Sequence, residues 1–481
     1  MSRTVLWTAA DAAAATGGSA ARDWRASGVS IDSRTAETGD LFVAIEGPEQ
    51  DGHAYVGAAL AAGAAAALVH RRLPEVAADS PLMLVPDTLA GLTALGRHAR
   101  ARSGARVAAI TGSAGKTGTK EALRHALAAQ GRTSASVASY NNLWGVPLSL
   151  ARMPRDAAFG VFEVGMNHAG EIAPLARLIR PDVAVVTNVE AAHIAYFPSL
   201  EAVADAKAEI FEGLEPGGVC VLNRDNAFFD RLCAAASRRP GIRIVSFGLG
   251  DADATARDVS LDARGADIAA EIGGRRIDYR VGLPGRHWVL NSLAVLAAVD
   301  ALGADPVRAA ESLRSLAPLP GRGKPHCAVC AGGSFTLIDE SYNANPASMR
   351  AAIETLGRVA PSGIGRRIAI LGPMRELGED TAAYHEALAG PLVESGVDTV
   401  LAVGDMRAVI DLLPAAMRGA TAETGEALAD SAASAIGPGD VVMIKGSNAS
   451  RMDLVVARLL RGAPASCRGA AAGPRGGTHA V

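Results

Sequence analysis

Aromatic residues are scarce in this sequence of 481 residues, where they make up 4%, and the net charge at pH 7 is only −3. A surface that binds nucleic acid needs clustered positive charge or aromatic side chains for stacking, so nucleic acid is not an expected partner. Long apolar runs are also lacking. The most apolar stretch, residues 58–69, is mostly alanine and too short to span a bilayer, and the N-terminus has no signal-peptide core. We therefore expect no membrane insertion.

Cysteine is equally sparse, with five residues at scattered positions. This usage is typical of a reducing compartment and predicts a cytoplasmic protein. Cys327 and Cys330 have C-x-x-C spacing, but neither a second cysteine pair nor a histidine pair accompanies them. A chance pairing on a strand edge is therefore favoured over a zinc or redox site.

Lysine is the rarest of the charged residues. Only five of the 47 basic residues are lysines, and they are Lys116, Lys120, Lys207, Lys324 and Lys445. Arginine is a planar fork that stays protonated, whereas lysine is a compact amine that fits a tight phosphate site or reacts as a nucleophile. Each lysine is therefore a candidate chemical position, and Lys324 is the one we expect to be a surface residue without such a role.

The stretch TGSAGKTGTK, residues 111–120, is the strongest local signal. An apolar strand, RVAAI, precedes it and a helical pattern follows, which is the arrangement that holds polyphosphate on loop N–H groups and a helix N-terminus. Lys116 would reach the phosphates and the Thr117 hydroxyl would ligate Mg²⁺. The standard phosphate-loop pattern has a glycine where this chain has Ile110, so an ordinary Gly/Ser turn remains the alternative.

The length favours about three domains, and the hydrophobic content of 49% is that of a globular protein. We predict an α/β fold with a small N-terminal α/β domain at 1–87 and a central doubly wound parallel-sheet domain with the phosphate loop at 88–321. A C-terminal Rossmann-like α/β domain at 322–462 and a disordered tail at 463–481 follow. Alternating segments between about 255 and 283 predict a small antiparallel insert.

Polar side chains follow several of the predicted strands. Glu163 ends one strand and His193 follows the next, so a carboxylate and an imidazole would face the phosphate loop and suit a divalent metal. A helix-capping Glu163 and an ordinary loop histidine are the alternatives. Lys207 is expected in the middle of a helix. The segments 339–349 and 445–452 place polar groups after two strands of the third domain.

Six segments together resemble the ATP-dependent Mur ligases of peptidoglycan synthesis, whose relatives include the folylpolyglutamate synthases. They are DSRTAETGDLFVAIEG, NNLWGVPLSL, EVGMNHAGEI, LPGRH, DESYNANPASM and LGPMRELGE. The family shares the shortened loop TG[ST]xGKT, so Ile110 agrees with the resemblance. The resemblance is strongest to those family members that join D-alanyl-D-alanine to UDP-N-acetylmuramoyl-tripeptide through an acyl phosphate. The DNPR motif of the diaminopimelate-adding members is absent.

The resemblance implies roles for individual residues. Lys116, Lys207 and His193 would be catalytic, and Thr117, Glu163, His193 and Lys207 would surround two Mg²⁺ ions, with Lys207 carbamylated by CO₂. ATP would contact Gly112, Ser113, Ala114, Gly115, Lys116, Thr117, Gly118, Asn291, Arg322, Asp339, Tyr342 and Asn343. Peptide and uridine substrates would contact Ser33, Arg34, Asn142 and Lys445. Relatives usually carry LGDMxELG and KGSRxxxM, where this chain has LGPMRELG and KGSNASRM.

Two other hypotheses remain open at this point. One is a different amide ligase on the same scaffold, because the amine specificity lies in the third domain. The other is a nucleotide switch, although the nearest match to a guanine-reading N-K-x-D motif, NRDN at 223–226, lacks the lysine. We further expect a monomer whose third domain closes over the site through the linker at 317–325.

Overall fold

The computed structural model describes residues 4–47, 50–74, 76–137 and 139–461. The predicted tail at 463–481 lies outside these residues. Three mainly parallel sheets of five, nine and six strands follow one another along the chain, with an additional two-stranded ribbon at the start. The predicted α/β fold with three successive sheet units is confirmed.

The N-terminal unit has a five-stranded sheet in the order β2-β7-β6-β5-β4, in which β4 to β7 are parallel. Its elements are β1 (Trp7–Thr8), α1 (Ala9–Thr16), β2 (Ser19–Ala20), β3 (Arg25–Ala26), β4 (Gly28–Ser30), β5 (Asp40–Val43), α2 (Val56–Ala61), β6 (Ala66–Val69), β7 (Leu82–Leu84) and α3 (Thr88–Ala101). Strands β5 and β6 are buried on both faces, as expected from the apolar runs at 41–43 and 66–69. Helix α3 adds Leu92, Leu95 and Ala99 to this core.

The central unit has a nine-stranded sheet in the order β16-β15-β14-β13-β12-β11-β8-β10-β9. Its elements are β8 (Arg106–Thr111), α4 (Lys116–Ala128), β9 (Thr133–Ala135), α5 (Gly145–Ala151), β10 (Phe159–Glu163), α6 (Ile172–Ile179), β11 (Val183–Val186), α7 (Leu200–Ala208), β12 (Val219–Asn223), α8 (Phe229–Ser237), β13 (Arg243–Gly248), β14 (Ala254–Asp262), β15 (Gly265–Ile272), β16 (Arg275–Val281), α9 (Arg286–Ala301) and α10 (Pro306–Leu313). From β8 the chain builds β9 and β10 on one side and β11 on the other. This reversal opens a crevice at the carboxyl ends of β8, β10 and β11, where open α/β sheets bind ligands.

The antiparallel segment is only partly as predicted. Strands β14 to β16 are antiparallel to one another, but β14 pairs in parallel with β13 and continues the central sheet, so the segment is not a separate insert. The reason is burial of one face. Ala266, Ile268, Ala270 and Ile272 alternate inward along β15 and join the same core as the apolar residues of α9.

The C-terminal unit has a six-stranded sheet in the order β17-β18-β22-β19-β20-β21, parallel except for the β17–β18 hairpin. Its elements are β17 (Lys324–Cys330), β18 (Gly333–Glu340), α11 (Pro346–Arg358), β19 (Arg367–Leu371), α12 (Thr381–Glu386), α13 (Ala389–Glu394), β20 (Thr399–Val403), α14 (Arg407–Leu412), β21 (Arg418–Ala422), α15 (Gly425–Ala435), β22 (Val441–Lys445) and α16 (Met452–Leu459). Cys327 and Cys330 lie on β17, an edge strand as predicted. Within the described ranges, no helix is long and apolar enough to cross a membrane.

Candidate active site

The glycine loop connects β8 to α4, which begins at Lys116, so the predicted strand–loop–helix is confirmed. Gly112 has φ 147°, and a Cβ there would lie 1.9 Å from Thr187 Oγ1, so only glycine fits. Lys116 Nζ donates to the Gly112 carbonyl at 2.6 Å. Burial lowers the pKa of Lys116, and the negative charge of Glu163 opposes that shift. The loop thus presents a partly desolvated amine at a helix N-terminus.

The segment after β11 fixes the shape of the loop. Asn188 Oδ1 accepts from the Ala114 N–H at 2.8 Å, and Thr187 Oγ1 donates to the Ala114 carbonyl at 2.6 Å. Ser113 Oγ donates to the Glu190 carbonyl at 2.9 Å. These bonds fix the shape of the loop at 111–116, the phosphate cradle, so phosphate binding requires little reorganisation.

Glu163 is the last residue of β10 and is 1% exposed. Its Oε1 accepts from Asn141 Nδ2 at 2.8 Å, whereas its Oε2 is buried without a hydrogen-bond partner in the described residues. Helix α6 begins only at Ile172 and bonds its first N–H groups to Glu209, so Glu163 is not its cap. A buried carboxylate oxygen with no donor is a vacant ligand for a cation.

The five lysines differ in burial, and Lys324, which we expected at the surface, is only partly exposed. Lys120, Lys207 and Lys445 are at most 2% exposed, whereas Lys324 lies half-buried on β17. Lys120 Nζ donates to the Ser136 carbonyl at 2.8 Å, and Ser136 Oγ accepts from the Glu163 N–H at 3.2 Å. Through Ser136, Lys120 therefore helps to hold the backbone of Glu163 in position.

Lys207 lies in the last turn of α7, so the expected mid-helix position is wrong. Its side chain is buried, and in the described parts of the chain no hydrogen bond or ion pair to its amine is present. Burial and, next, the positive charge of Lys116 place the pKa of Lys207 well below its ordinary value. The site therefore favours a neutral, nucleophilic amine.

His193 lies in the loop after β11 with φ 60°, and its Nδ1 is hydrogen-bonded to Glu376 of the C-terminal unit. Thr117 Oγ1 lies 3.4 Å from Ser139 Oγ. Among the described residues, no group of three or more His, Cys, Asp and Glu side chains is arranged to hold a metal ion. The residues present fit a metal whose remaining ligands come from phosphate and water, as Mg²⁺ prefers.

The C-terminal unit contacts the glycine loop directly. Arg322 donates to Thr117 Oγ1 at 3.1 Å while its guanidinium stacks on Tyr342, 4.3 Å from the ring centroid. Asn345 Nδ2 donates to the Ser113 carbonyl at 3.2 Å. Arg322 therefore sits at the hydroxyl predicted for the metal, and two elements of the third unit reach the phosphate cradle.

Other predicted residues shape the loops beside the cradle. Asp339 accepts from the Gly321 N–H at 3.1 Å and the Ser341 hydroxyl at 2.6 Å, which fixes the turn that carries Arg322. Lys445 Nζ donates to the Asn343 carbonyl at 2.9 Å. Burial lowers the pKa of Lys445, and the Glu340 carboxylate partly offsets that shift.

The remaining predicted residues lie on other elements of the first two units. Ser33 and Arg34 follow β4 of the N-terminal sheet, where Arg34 pairs with Asp32 at 3.0 and 2.9 Å. Asn142 Oδ1 accepts from the Gly145 N–H at 3.0 Å at the start of α5. Asn291 on α9 lies beside the cradle, since a Cβ at Gly115 would approach its Oδ1 to 3.0 Å.

Three residues at the site were missed by the sequence reasoning. Asn141 orients Glu163, although only its neighbour Asn142 was named. Asn345 and Glu376 connect the C-terminal unit to the central one, and both lie in segments singled out from the sequence without a role for these side chains. The only sequence signal for these residues is that each lies in a segment rich in polar side chains. Which of those side chains points into the site depends on tertiary packing.

The phosphate-binding loop lies in the middle of the three α/β units, at the point where the strand order of the central sheet reverses. This arrangement is that of a nucleotide-binding enzyme of three domains. Models of the Mur ligase middle domain, the Mur ligase glutamate ligase domain, and the Mur ligase family catalytic domain match residues 110–299, 321–448 and 25–101. The chain therefore belongs to the Mur ligase family.

Within that family, the curated relatives with high similarity share one name. UDP-N-acetylmuramoyl-tripeptide–D-alanyl-D-alanine ligase of Rickettsia prowazekii is 32% identical over 89% of this chain and 94% of its own length. The ligase of that name from Escherichia coli is 36% identical over 78% of this chain and 81% of its own. MurF from Acinetobacter baumannii has a similar structure, with a TM-score of 0.81 and 29% identity over 95% of this chain and 99% of its own. MurF from Thermotoga maritima, solved in complex with ADP, has a TM-score of 0.74 and 27% identity over 90% and 97%.

Proposed function

We propose that this chain joins D-alanyl-D-alanine to UDP-N-acetylmuramoyl-tripeptide at the expense of ATP, giving the UDP-linked pentapeptide used in peptidoglycan synthesis. The names of its relatives support the substrates. One observation carries the chemistry. The same site contains the amine of Lys116, in the phosphate-binding loop, and the carboxylate oxygen of Glu163, which has no hydrogen-bond partner in the described residues. That combination suits transfer of a phosphoryl group whose charge must be offset on two sides.

The reaction has two steps. The terminal carboxylate of the tripeptide attacks the γ-phosphorus of ATP, which releases ADP and forms an acyl phosphate. The unprotonated amine of D-alanyl-D-alanine then attacks the acyl carbon to give a tetrahedral intermediate, its nitrogen loses a proton to solvent, and phosphate leaves with the former carboxylate oxygen as the amide forms. Lys116 and the N–H groups at the start of α4 stabilise the charge on the phosphates, and Arg322, held beside Thr117, is placed to do the same for the transferred group.

The residues present fit Mg²⁺ at the phosphate end of the cradle. Thr117 Oγ1, Glu163 Oε2 and the free Nε2 of His193 are the protein ligands we assign, shared between two ion sites. When bound, Mg²⁺ neutralises phosphate oxygens and polarises the γ-phosphorus for attack. Asn141 holds the Glu163 carboxylate in place, since it occupies Oε1 and leaves Oε2 open.

We assign to Lys207 a carbamate formed with CO₂. The neutral amine attacks the carbon of CO₂ and loses one proton to solvent, so an uncharged group becomes an anion. Its burial and its lowered pKa favour the unprotonated amine that this reaction needs. An anion there is attracted to Lys116 and to the metal, whereas arginine cannot lose its proton or form this group.

The three units divide the substrates between them. We place the uridine nucleotide at Ser33 and Arg34, the peptide near Asn142, and the adenosine beside Asn291. Amine specificity belongs to the C-terminal unit, which also shields the acyl phosphate from water when it closes. In small-angle X-ray scattering, an ATP analogue together with the UDP-tripeptide should then lower the radius of gyration. An unchanged radius of gyration would argue against closure.

Phosphate release with purified substrates tests the function. The full chain is given ATP, Mg²⁺ and UDP-N-acetylmuramoyl-tripeptide, and D-alanyl-D-alanine, diaminopimelate or glutamate is added in turn. We expect release to depend on the tripeptide and to rise strongly with D-alanyl-D-alanine alone. Preference for another amine would indicate a different ligase on this scaffold, and release independent of any amine would favour the nucleotide switch.

A further inference from the structure

The central and C-terminal units meet at a second contact, away from the glycine loop. The segment 193–197 of the central unit packs against the segment 374–378, which follows β19. Glu376 makes two bonds there: its carboxylate bonds His193 Nδ1, and its carbonyl accepts from the Ala195 N–H at 3.1 Å. Ile194 is packed against the cores of both units.

Both partners of the side-chain bond have an unusual backbone. His193 has φ 60° and Glu376 has φ 61°, a region that residues other than glycine seldom adopt. A strained conformation persists only where surrounding contacts hold it, and such residues cluster at functional sites. Here the two strained residues bond each other, so each backbone presents its side chain to the other unit.

An ordinary surface ion pair does not explain this arrangement. The side chains are only 25% and 37% exposed, and the bond joins a histidine whose loop follows the strand next to the glycine loop. An exposed ion pair contributes too little to offset the cost of two residues in this backbone conformation, which indicates that the bond has a role other than stability. Because a carboxylate can only accept a hydrogen bond, the Nδ1 atom carries the proton and donates it to this bond. In the neutral imidazole the Nε2 lone pair is then free to bind a cation.

We propose that Glu376 is a positioning residue that reaches across the unit boundary, fixes the tautomer and ring orientation of His193, and so completes the metal site only when the C-terminal unit is docked. The inference rests on the metal-ligand role assigned to His193 under the proposed function. It makes the affinity of the site for a divalent ion depend on the position of the unit that we expect to hold the amine substrate. The metal would then be held tightly only in the closed arrangement.

Binding of Mn²⁺ tests this without turnover. The full chain is saturated with the β,γ-imido analogue of ATP, and free Mn²⁺ is measured by electron paramagnetic resonance during titration. Glu376→Ala should weaken Mn²⁺ binding about tenfold or more, within the range known for residues that orient metal ligands. Glu376→Gln, whose amide oxygen still accepts the Nδ1 proton, should restore most of the affinity. Glu379→Ala, an exposed acidic residue three positions away, is the matched control and should bind like the wild type.

Two further measurements separate positioning from packing. Binding of the analogue in EDTA and the unfolding midpoint should be unchanged in Glu376→Ala, because neither depends on the metal. In a His193→Ala background, Glu376→Ala should cause no additional loss of Mn²⁺ affinity. Unchanged Mn²⁺ affinity in Glu376→Ala, or a loss that persists without His193, would overturn the proposal. Neither result depends on which amine the enzyme accepts, so failure here is distinct from failure of the proposed reaction.

Discussion

Replacing Lys207 by methionine should make the protein more stable and abolish ligation. The side chain is 2% exposed and its pKa is lowered first by burial and then by Lys116, so the native state gains nothing from its charge. Methionine has a similar length and no polar atom. Exchanging a buried ionisable group for an apolar one of similar size is often stabilising, because the folded state no longer has to keep that group desolvated or unprotonated, and we expect about 1–3 kcal/mol here. For a unit of this size, that raises the unfolding temperature by roughly 2–4 °C per kcal/mol.

Lys207→Arg should have the opposite effect on stability. The guanidinium stays protonated, so an unpaired charge is forced into the buried site and the free energy of unfolding falls by about 3 kcal/mol. Both variants should bind the ATP analogue and lose ligation. Part of the activity of Lys207→Ala should return when a short-chain carboxylic acid is added, because its carboxylate can occupy the position of the carbamate.

Calorimetry in CO₂-free buffer measures the stability of these variants, and coupled phosphate release with both substrates measures ligation. Removing CO₂ keeps the wild-type amine unmodified, so all the proteins are compared in the same chemical state. Full activity in Lys207→Arg would refute the carbamate assignment. A marked loss of stability in Lys207→Met would show that the lysine is paired in the fold, and the reasoning from burial would be wrong.

Three other changes test separate parts of the account. Asn141→Ala removes the donor to Glu163 Oε1 and should lower kcat about 10–100-fold while binding of the ATP analogue is kept; a kcat within twofold of wild type would contradict the role of Asn141. Gly112→Ala places a Cβ 1.9 Å from Thr187 Oγ1 and should abolish ATP binding in calorimetric titration, whereas an unchanged Kd would place the phosphates elsewhere. His53 is buried, accepts from the His70 N–H at 3.1 Å, and has a pKa lowered mainly by burial. Because the unfolded chain takes up that proton more readily, the stability it contributes is full above pH about 6.5 and is lost as the pH falls towards the folded pKa. His53→Gln should therefore flatten the fall in unfolding temperature between pH 7.5 and 5.5, and an equal fall in both proteins would contradict this.

Local patterns were sufficient for much of the fold. The strand, the glycine loop and the helix at 106–128 follow directly from an apolar run, two glycines and a helical repeat, and Glu163 ends its strand as predicted. The three successive sheet units follow from the alternation of strands and helices. The rarity of lysine correctly indicated that Lys120 and Lys207 are not ordinary surface residues.

What the sequence could not supply depends on contacts between distant segments. Whether Asn141 or Asn142 faces Glu163 depends on how the loop before α5 packs, and both amides are equally plausible in the sequence. The contact of Glu376 with His193 spans two units, so no local pattern encodes it. The short segments between about 255 and 283 predict an antiparallel insert, but no local pattern encodes the parallel pairing of β14 with β13 that joins them to the central sheet.

The origin of the oxygen in the released phosphate tests the central claim most directly. UDP-N-acetylmuramoyl-tripeptide is labelled with ¹⁸O in its terminal carboxylate and incubated with the full chain, ATP, Mg²⁺ and D-alanyl-D-alanine, and the phosphate is analysed by mass spectrometry. If the carboxylate attacks the γ-phosphorus, each phosphate released with a peptide bond carries one oxygen from the labelled carboxylate. Phosphate without the label, alongside the pentapeptide product, would contradict activation through an acyl phosphate.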